Sequence, residues 1–302
     1  MATYVKDECP VCGYSKYSIF GTVKESDPPV PICGCSVIVK CKNCHLVYVN
    51  PMPHWDSEDF SILYSGEYFS DFNSDEQKEW FDIRRNINPK KRFANICQYL
   101  KSTKNKMLEI GGGEYGFMGQ YLMGKGWDVT IQEPSEAFFD KLHGLGLKVE
   151  TRSILELETE DQFSLIYADS VLEHVPNPIL YYEKLTNLLV PGGILYTISP
   201  NEYSMYNFLM GFMAKVNHKS PPYISPYRAP YHLTGFTKKS LKILAQKSGL
   251  ELCCYKKMDD YMAFHAVRSK RHAFVRYPSA LLFAISQILG LGTNGEAVFV
   301  KK

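Results

Sequence analysis

No apolar run in this sequence is long enough to cross a bilayer, which needs about 20 residues. The most apolar late stretch, Ala280 to Leu291, is broken by Ser286, Gln287 and Gly290 and reads as a buried helix. The opening residues, Met1 to Asp7, lack the basic then apolar leader of an exported protein, so the expectation is a chain that stays in the cytoplasm. Charge of one sign is also lacking. Lys plus Arg number 34 against 32 Asp plus Glu, a formal charge of +2, so no overall basic field invites nucleic acid and no nucleic-acid partner is expected. Nine cysteines, an odd number without a leader, argue against a disulfide framework and for thiolate chemistry or burial. What is present is 45% hydrophobic residues over 302 positions, enough for one large domain with an appendage or for two domains.

Cys9-Pro10-Val11-Cys12 and Cys41-Lys42-Asn43-Cys44 form two C-x-x-C units with a Pro- and Gly-rich stretch between them. Two such knuckles can supply four thiolates to one tetrahedral zinc, and four bound sulfurs leave no open position for water, so the metal would be structural. Cys33, Cys35 or His45 could replace one of the four ligands. Leu46 to Val49 reads as a strand stopped by Asn50-Pro51-Met52-Pro53, which places the end of a zinc-ribbon-like module, residues 1–53, at that turn. Residues 54–105 read as an aromatic linker, with Trp55, Phe60, Tyr64, Tyr68, Phe69 and Phe72, and then cap helices over Asp75 to Lys101 broken at Asn88-Pro89. Phe93, Ile96, Cys97 and Leu100 there follow helical spacing.

From Lys106 the pattern alternates. Strands are predicted at 106–110, 127–132, 148–152, 163–168 and 194–199, with helices at 117–123, 135–143 and 178–189. Strands alternating with helices imply an α/β fold with a mostly parallel, Rossmann-like sheet covered on both faces. Such sheets bind ligands at the carboxyl ends of their strands, where Gly111, Gly113 and Glu133 fall. The glycines admit close backbone approach, and an acidic residue about twenty positions later can accept hydrogen bonds from two ribose hydroxyls. Gly111 to Gly116 also fits G-x-G-x-x-G, so this loop alone leaves an NAD(P)-dependent oxidoreductase open.

Glu109, two residues before the glycines, suits an ammonium group and offers nothing to a pyrophosphate. Together with Ile131-Gln132-Glu133-Pro134-Ser135, Ala168-Asp169-Ser170-Val171-Leu172-Glu173-His174-Val175 and Leu189-Val190-Pro191-Gly192-Gly193, the run resembles the class I S-adenosylmethionine-dependent methyltransferases over about residues 95 to 200. Cys41 to Pro51 resembles the cysteine-rich head of a branch linked to sugar, polysaccharide and secondary-metabolite pathways. His232-Leu233-Thr234-Gly235-Phe236-Thr237, with Leu241, Leu244, Ala245, Gly249 and Leu250, resembles its sixth helix and strand, and Gly295 to Val300 the final antiparallel strand. The resemblance implies a seven-stranded methyltransferase domain over residues 106–302. Sugar C-methyltransferases with this head continue into a further domain, so a chain stopping here is expected to methylate oxygen or nitrogen of a small metabolite rather than carbon.

The resemblance also implies roles. Glu109 would face the methionine amino group, Gly111 and Gly113 the methionine portion, Glu133 the ribose and Pro134 the adenine, with Ser153, Ile154, Asp169 and Ser170 as further cofactor contacts. Glu173 and His174 would face the methyl donor, where a near-neutral imidazole can take a proton and Tyr231 and His232 are further candidates. Some quinone O-methyltransferases hold a metal between such a Glu-His pair and a Glu three residues earlier. That position is Ser170 here, so a catalytic magnesium is not expected. Residues 201–232, with Tyr203, Tyr206, Phe208, Phe212, His218, Tyr223, Tyr227 and Arg228, read as a substrate-covering insertion suited to sugars or flat rings. A membrane-surface patch or a homodimer contact is the other reading of its apolar content.

Overall fold

The computed structural model describes residues 4–5, 8–22, 37–53, 85–216, 231–258, 281–282 and 284–302. Cys33, Cys35, the aromatic residues of the linker before residue 85, and His218, Tyr223, Tyr227 and Arg228 of the insertion lie outside the described residues.

The cysteine-bearing region contains β1 (Tyr4–Val5), β2 (Tyr17–Thr22), β3 (Val37–Cys41), β4 (Val47–Asn50) and β5 (Met52–Pro53). Helix α1 (Asn88–Cys97) follows, with a proline in its first turn, where a missing N–H costs no helical bond. The body then runs β6 (Lys106–Ile110), α2 (Phe117–Met123), β7 (Asp128–Gln132), α3 (Phe139–Gly144), β8 (Lys148–Glu150), β9 (Phe163–Asp169), α4 (Pro178–Leu188), β10 (Leu189–Pro200) and α5 (Met205–Val216). It closes with β11 (Thr234–Gly235), α6 (Lys238–Lys247), β12 (Leu250–Met258) and β13 (Asn294–Lys301).

Seven of these strands form one sheet in the order β12-β13-β10-β9-β6-β7-β8. Neighbours from β8 to β10 are parallel, and β13 runs antiparallel between β10 and β12. This is the Rossmann-like methyltransferase sheet expected from the sequence. The parallel strands are continuous apolar runs because both faces are covered. On β6 and β9, Leu108, Ile110, Ile166 and Ala168 enter one core while Met107, Leu165 and Tyr167 enter the other. The turn chemistry is local: Asn177 accepts from Leu180 N at 3.2 Å to start α4, and Thr237 and Ser240 form a reciprocal capping box at α6.

The cysteine region is built into the body. A second sheet has the order β11-β4-β3-β2, so one strand of it comes from the segment just before α6. Thr234 pairs with Tyr48 and Gly235 with Val47, and Val49 N donates to Leu233 O at 3.0 Å. Thr237 Oγ1 donates to Cys44 O at 3.0 Å, Lys239 Nζ donates to Asn43 O, and Tyr203 OH donates to His45 O at 3.4 Å. Cys9, Cys41, Cys44 and Tyr48 share one apolar core with Leu233, Phe236 and Leu244.

The stretch read as a buried helix from Ala280 to Leu291 is different. Residues 284–288 are helical, but Ile288 is 84% exposed and Leu281 63%, and among the described residues of 281–290 Ser286 is the one that is buried. No helix among the described residues is long and apolar enough to cross a membrane.

The junction is tight at Gly235, where an added Cβ would lie 2.1 Å from Glu202 Cγ, itself on a buried side chain. Gly235→Ala is expected to destabilise the protein by about 1–3 kcal/mol, the usual cost of overpacking. A urea titration followed by circular dichroism checks this, and an unchanged midpoint would show that the junction has slack.

Candidate active site

The carboxyl ends of β6, β7 and β9 converge on one side of the sheet. The chain leaves β6 through Gly111, Gly113 and Gly116, all at positive φ, and the turn leads into α2. Close packing restricts the floor of this turn. A Cβ on Gly112 would stand 2.3 Å from Ile131 Cγ2, and one on Gly111 2.8 Å from Val171 Cγ2. Above Gly113 a Cβ would meet nothing within 4 Å. The turn is thus solid beneath and open above, a shape that accepts a ligand against its backbone.

Two buried carboxylates hold the turn from below and from the side. Glu109 Oε2 accepts from Gly119 N at 2.6 Å, which ties β6 to α2. Glu133 Oε2 accepts from Gly113 N at 2.8 Å and its Oε1 from Ser135 N at 3.0 Å, bridging the ends of β6 and β7. Burial pushes the Glu133 carboxyl above the usual range, and the two backbone donors oppose that. Pro134 beside it is exposed. An open backbone shelf with two carboxylates around it is a donor set that fits a nucleoside carrying an amino acid. Ser153 donates to Glu156 Oε2 at 2.8 Å, and Ile154 is buried in the core.

Asp169 and Ser170 stand at the end of β9. Ser170 adopts a left-handed φ of 59° and its Oγ donates to Asp169 Oδ1 at 3.2 Å. The other Asp169 oxygen accepts from Arg92 Nη1 at 2.6 Å, and the same nitrogen donates to Tyr167 OH at 2.6 Å. Glu296 on β13 lies 3.8 Å from Arg92 Nε. Arg92 was not among the expected site residues. It is buried on the apolar face of α1, four residues before Ile96, and apolar periodicity passes over a single cation on such a face.

After Ser170 the chain makes a short 3-10 turn, Leu172–His174, facing the segment that enters β11. Leu233 N donates to Glu173 O at 2.8 Å. His174 Nδ1 lies 2.7 Å from Tyr231 O, and a carbonyl only accepts, so Nδ1 carries the proton and Nε2 of the neutral ring keeps a lone pair. His232 stands edge-on to His174, ring centroids 4.7 Å apart. Potential ligand atoms of Glu173, His174 and His232 lie within 4.8 Å of one another, so residues from positions 173 to 232 form one cluster. Glu173 is fully buried, and neither carboxyl oxygen has a hydrogen-bond partner on another described residue. Burial pushes its carboxyl up to about 8.

A separate cluster gathers the four thiols. Cys9 Sγ is 3.4 Å from Cys44 Sγ and Cys12 Sγ is 3.5 Å from Cys41 Sγ, too far for disulfides, and all four sulfurs lie within 4.8 Å of one another. Four sulfurs around a zinc at about 2.3 Å would be separated by comparable distances. Asn43 N donates to Cys41 Sγ at 3.4 Å, and the hydrogen bond with Cys44 draws the Cys9 thiol below its usual range. The donor set is that of a closed, four-sulfur metal site.

The Glu173 carboxyl keeps its proton in the fold to about pH 8, against 4.5 for an ordinary glutamate. Its contribution to stability is full below the unfolded value and is lost as pH rises through the folded one. Melting temperature is therefore expected to fall between about pH 5 and 8.5, and Glu173→Gln should flatten that slope. An identical slope in the variant would place the effect elsewhere.

The chain matches the family model described as a methyltransferase domain over residues 72–255. A ubiquinone biosynthesis O-methyltransferase from Marinobacter nauticus is 29% identical over 171 residues, covering 51% of this chain and 71% of that protein. A second, from Stutzerimonas stutzeri, is 30% identical over 125 residues, 38% of this chain and 53% of that protein. Among solved structures, a chain of the complex between the Haloferax volcanii Trm112 methyltransferase activator and a methyltransferase shares the fold at a TM-score of 0.50 and 13% identity, covering 75% of this chain and 96% of that one. The match over 72–255 takes in the glycine turn, Glu133 and the Glu173–His174 turn, and on it the chain belongs to the methyltransferase-domain family and is an S-adenosylmethionine-dependent methyltransferase.

Proposed function

We propose that the protein methylates oxygen or nitrogen of a small metabolite, with a sugar or another cell-surface or secondary-metabolite precursor as the acceptor class. The observation that carries this reading is the His174 tautomer fixed by Tyr231 O, with a second imidazole, His232, edge-on to the ring. The two O-methyltransferases to which the chain is similar support oxygen over carbon. The cysteine head and the aromatic residues Tyr203 and Tyr206 support a sugar.

When bound, S-adenosylmethionine supplies a methyl group on a sulfonium centre. The chain's part is to align the two reactants and exclude water. The shelf at Gly111 and Gly113 would take the methionine portion, Glu133 the ribose, Pro134 the base and Glu109 the ammonium. Asp169, held by Arg92, would border the same pocket. His174 Nε2 would accept the proton of the acceptor's hydroxyl or amine, with Tyr231 O fixing the ring. Below about pH 8 Glu173 is uncharged and places no anion beside that ring. His232, edge-on to His174, would be a second proton site.

Zinc on Cys9, Cys12, Cys41 and Cys44 would be structural, its four sulfurs leaving no position for substrate. Elemental analysis should return about one zinc per chain, and chelation should loosen the β4–β11 junction, read as faster amide exchange at residues 233–235. Metal-free protein with unchanged exchange there would refute the structural role.

A product-release screen with S-adenosylmethionine against sugar nucleotides, phenols, amines and nucleic acids tests the acceptor. On the acceptor so found, His174→Ala should lower turnover by roughly 10²–10⁴-fold with cofactor binding intact. Glu133→Ala should instead weaken cofactor binding by about 1.5–3 kcal/mol in a calorimetric titration. A small loss in His174→Ala would move the proton to Tyr231, His232 or water. Cofactor binding without turnover on any acceptor would favour a scaffold, and strong activity on RNA with sugars inert would overturn the acceptor class.

A further inference from the structure

Left-handed backbone is costly away from glycine, and among the described residues other than glycine only His45 and Ser170 adopt it. His45 directly follows the second cysteine pair. Ser170, at φ 59°, follows the last residue of β9, and such a conformation persists only where neighbouring groups fix it. Here the fixing groups are on the page. Ser170 N donates to Ile198 O at 2.9 Å, which continues the β9–β10 ladder past Ala168, where β9 makes its last pair with β6. Ser170 Oγ donates to Asp169 Oδ1, and the other Asp169 oxygen accepts from Arg92.

Sheet register places this anchor. Asp169 pairs with Ile198 and Ile198 with Glu296, so one row across β9, β10 and β13 sets an acid on either side of an apolar residue. Arg92 on α1 reaches both acids: Nη1 is 2.6 Å from Asp169 Oδ2 and from Tyr167 OH, and Nε is 3.8 Å from Glu296 Oε1. The helix has other means of docking. Ile96 is buried in the core that holds Met107, Met118 and Leu122, and Phe93 stands edge-on to Tyr121 and Trp127. A buried ion pair is on average no better than an apolar contact of the same size, so docking alone does not call for a guanidinium at this position.

Beyond Ser170 the chain meets the glycine turn. Val171 Cγ2 lies where a Cβ on Gly111 would come within 2.8 Å of it, so Val171 packs directly on the glycine that opens the turn. The backbone angle at Ser170 sets where Val171 lies, and Val171 backs Gly111. We infer that Arg92 is a positioning residue for the cofactor: through Asp169 it holds Ser170 in the left-handed conformation that keeps Val171 against Gly111. The inference rests on the placing of the cofactor on the Gly111–Gly113 shelf proposed above.

Calorimetric titration of the full chain with S-adenosylmethionine tests it. Ser170→Ala and Ser170→Gly both remove the hydroxyl, so any contact it makes with the cofactor is lost equally, but only glycine takes a φ of 59° without strain. The Ser170→Ala protein should bind about tenfold more weakly than the Ser170→Gly protein. Arg92→Lys keeps a cation and loses the planar fork. It should weaken binding by about tenfold in the unaltered background and by less than about twofold in the Ser170→Gly background. Circular dichroism establishes that each variant is folded, and should Arg92→Lys fail to fold, the Ser170 pair, altered at an exposed side chain, decides alone. Equal affinities in the two Ser170 variants, or the same loss from Arg92→Lys in both backgrounds, would leave Arg92 a helix-docking residue and overturn the inference. No binding by the unaltered chain would instead overturn the placing of the cofactor, and the inference with it.

Discussion

The antiparallel contact between β4 and β11 is the joint on which the Glu173–His174 turn depends. It is only two residue pairs long, Thr234 with Tyr48 and Gly235 with Val47, yet hydrogen bonds enter it from both sides. Val49 N reaches Leu233 O on the head side, and Leu233 N reaches Glu173 O on the body side. A backbone path therefore runs from the cysteine knuckle at Cys44 through β4 and Leu233 to the turn that carries Glu173 and His174. Its energy is small bond by bond, about 0.5–1.5 kcal/mol each. Its weight comes from the shared core of Tyr48, Leu233 and Phe236, which makes separation of head and body expensive.

Electrostatics divides the buried acids of the site into two kinds. Glu109 and Glu133 receive backbone N–H groups and serve as rivets for the glycine turn. Glu173 receives no such donor from another described residue and retains its proton. A charged, unpartnered carboxylate at full burial would cost several kcal/mol, so neutrality is the state the fold selects. Asp169, only partly buried, is instead ion-paired with the guanidinium of Arg92. Backbone hydrogen bonds, a retained proton and, at the partly exposed Asp169, an ion pair thus accommodate the acids of one pocket wall.

The body was legible in the sequence because its signals are local. A buried strand entering Gly111-Gly112-Gly113, an acid at the end of the next strand and an apolar run before Asp169 each identify themselves within a few residues, and helix 117–123 was placed at its observed ends. The two C-x-x-C pairs announced a four-thiol cluster by spacing alone. What remained hidden depends on long-range geometry. Nothing around Thr234 and Gly235 announces that they complete a sheet begun some two hundred residues earlier. Arg92 reads as a surface cation until α1 is docked against β9. The 280–291 segment differs in the opposite direction: its composition is that of a core helix, but its described apolar residues Leu281, Ile288 and Leu289 are mostly exposed.

The position of β13 sets the order in which the domain can be completed. It lies between β10 and β12 although it is the last strand of the sheet in sequence, so β12 has no partner in that sheet until β13 is in place. Glu296, on this strand, also closes the ion cluster around Arg92 and Asp169. During ribosomal synthesis the first five strands of the sheet can assemble while β12 waits, an unpaired edge exposed for the time taken to make about forty residues, or some seconds. Completion of this edge of the sheet therefore rests on contacts between strands far apart in sequence, and chaperone capture is best directed at that waiting edge.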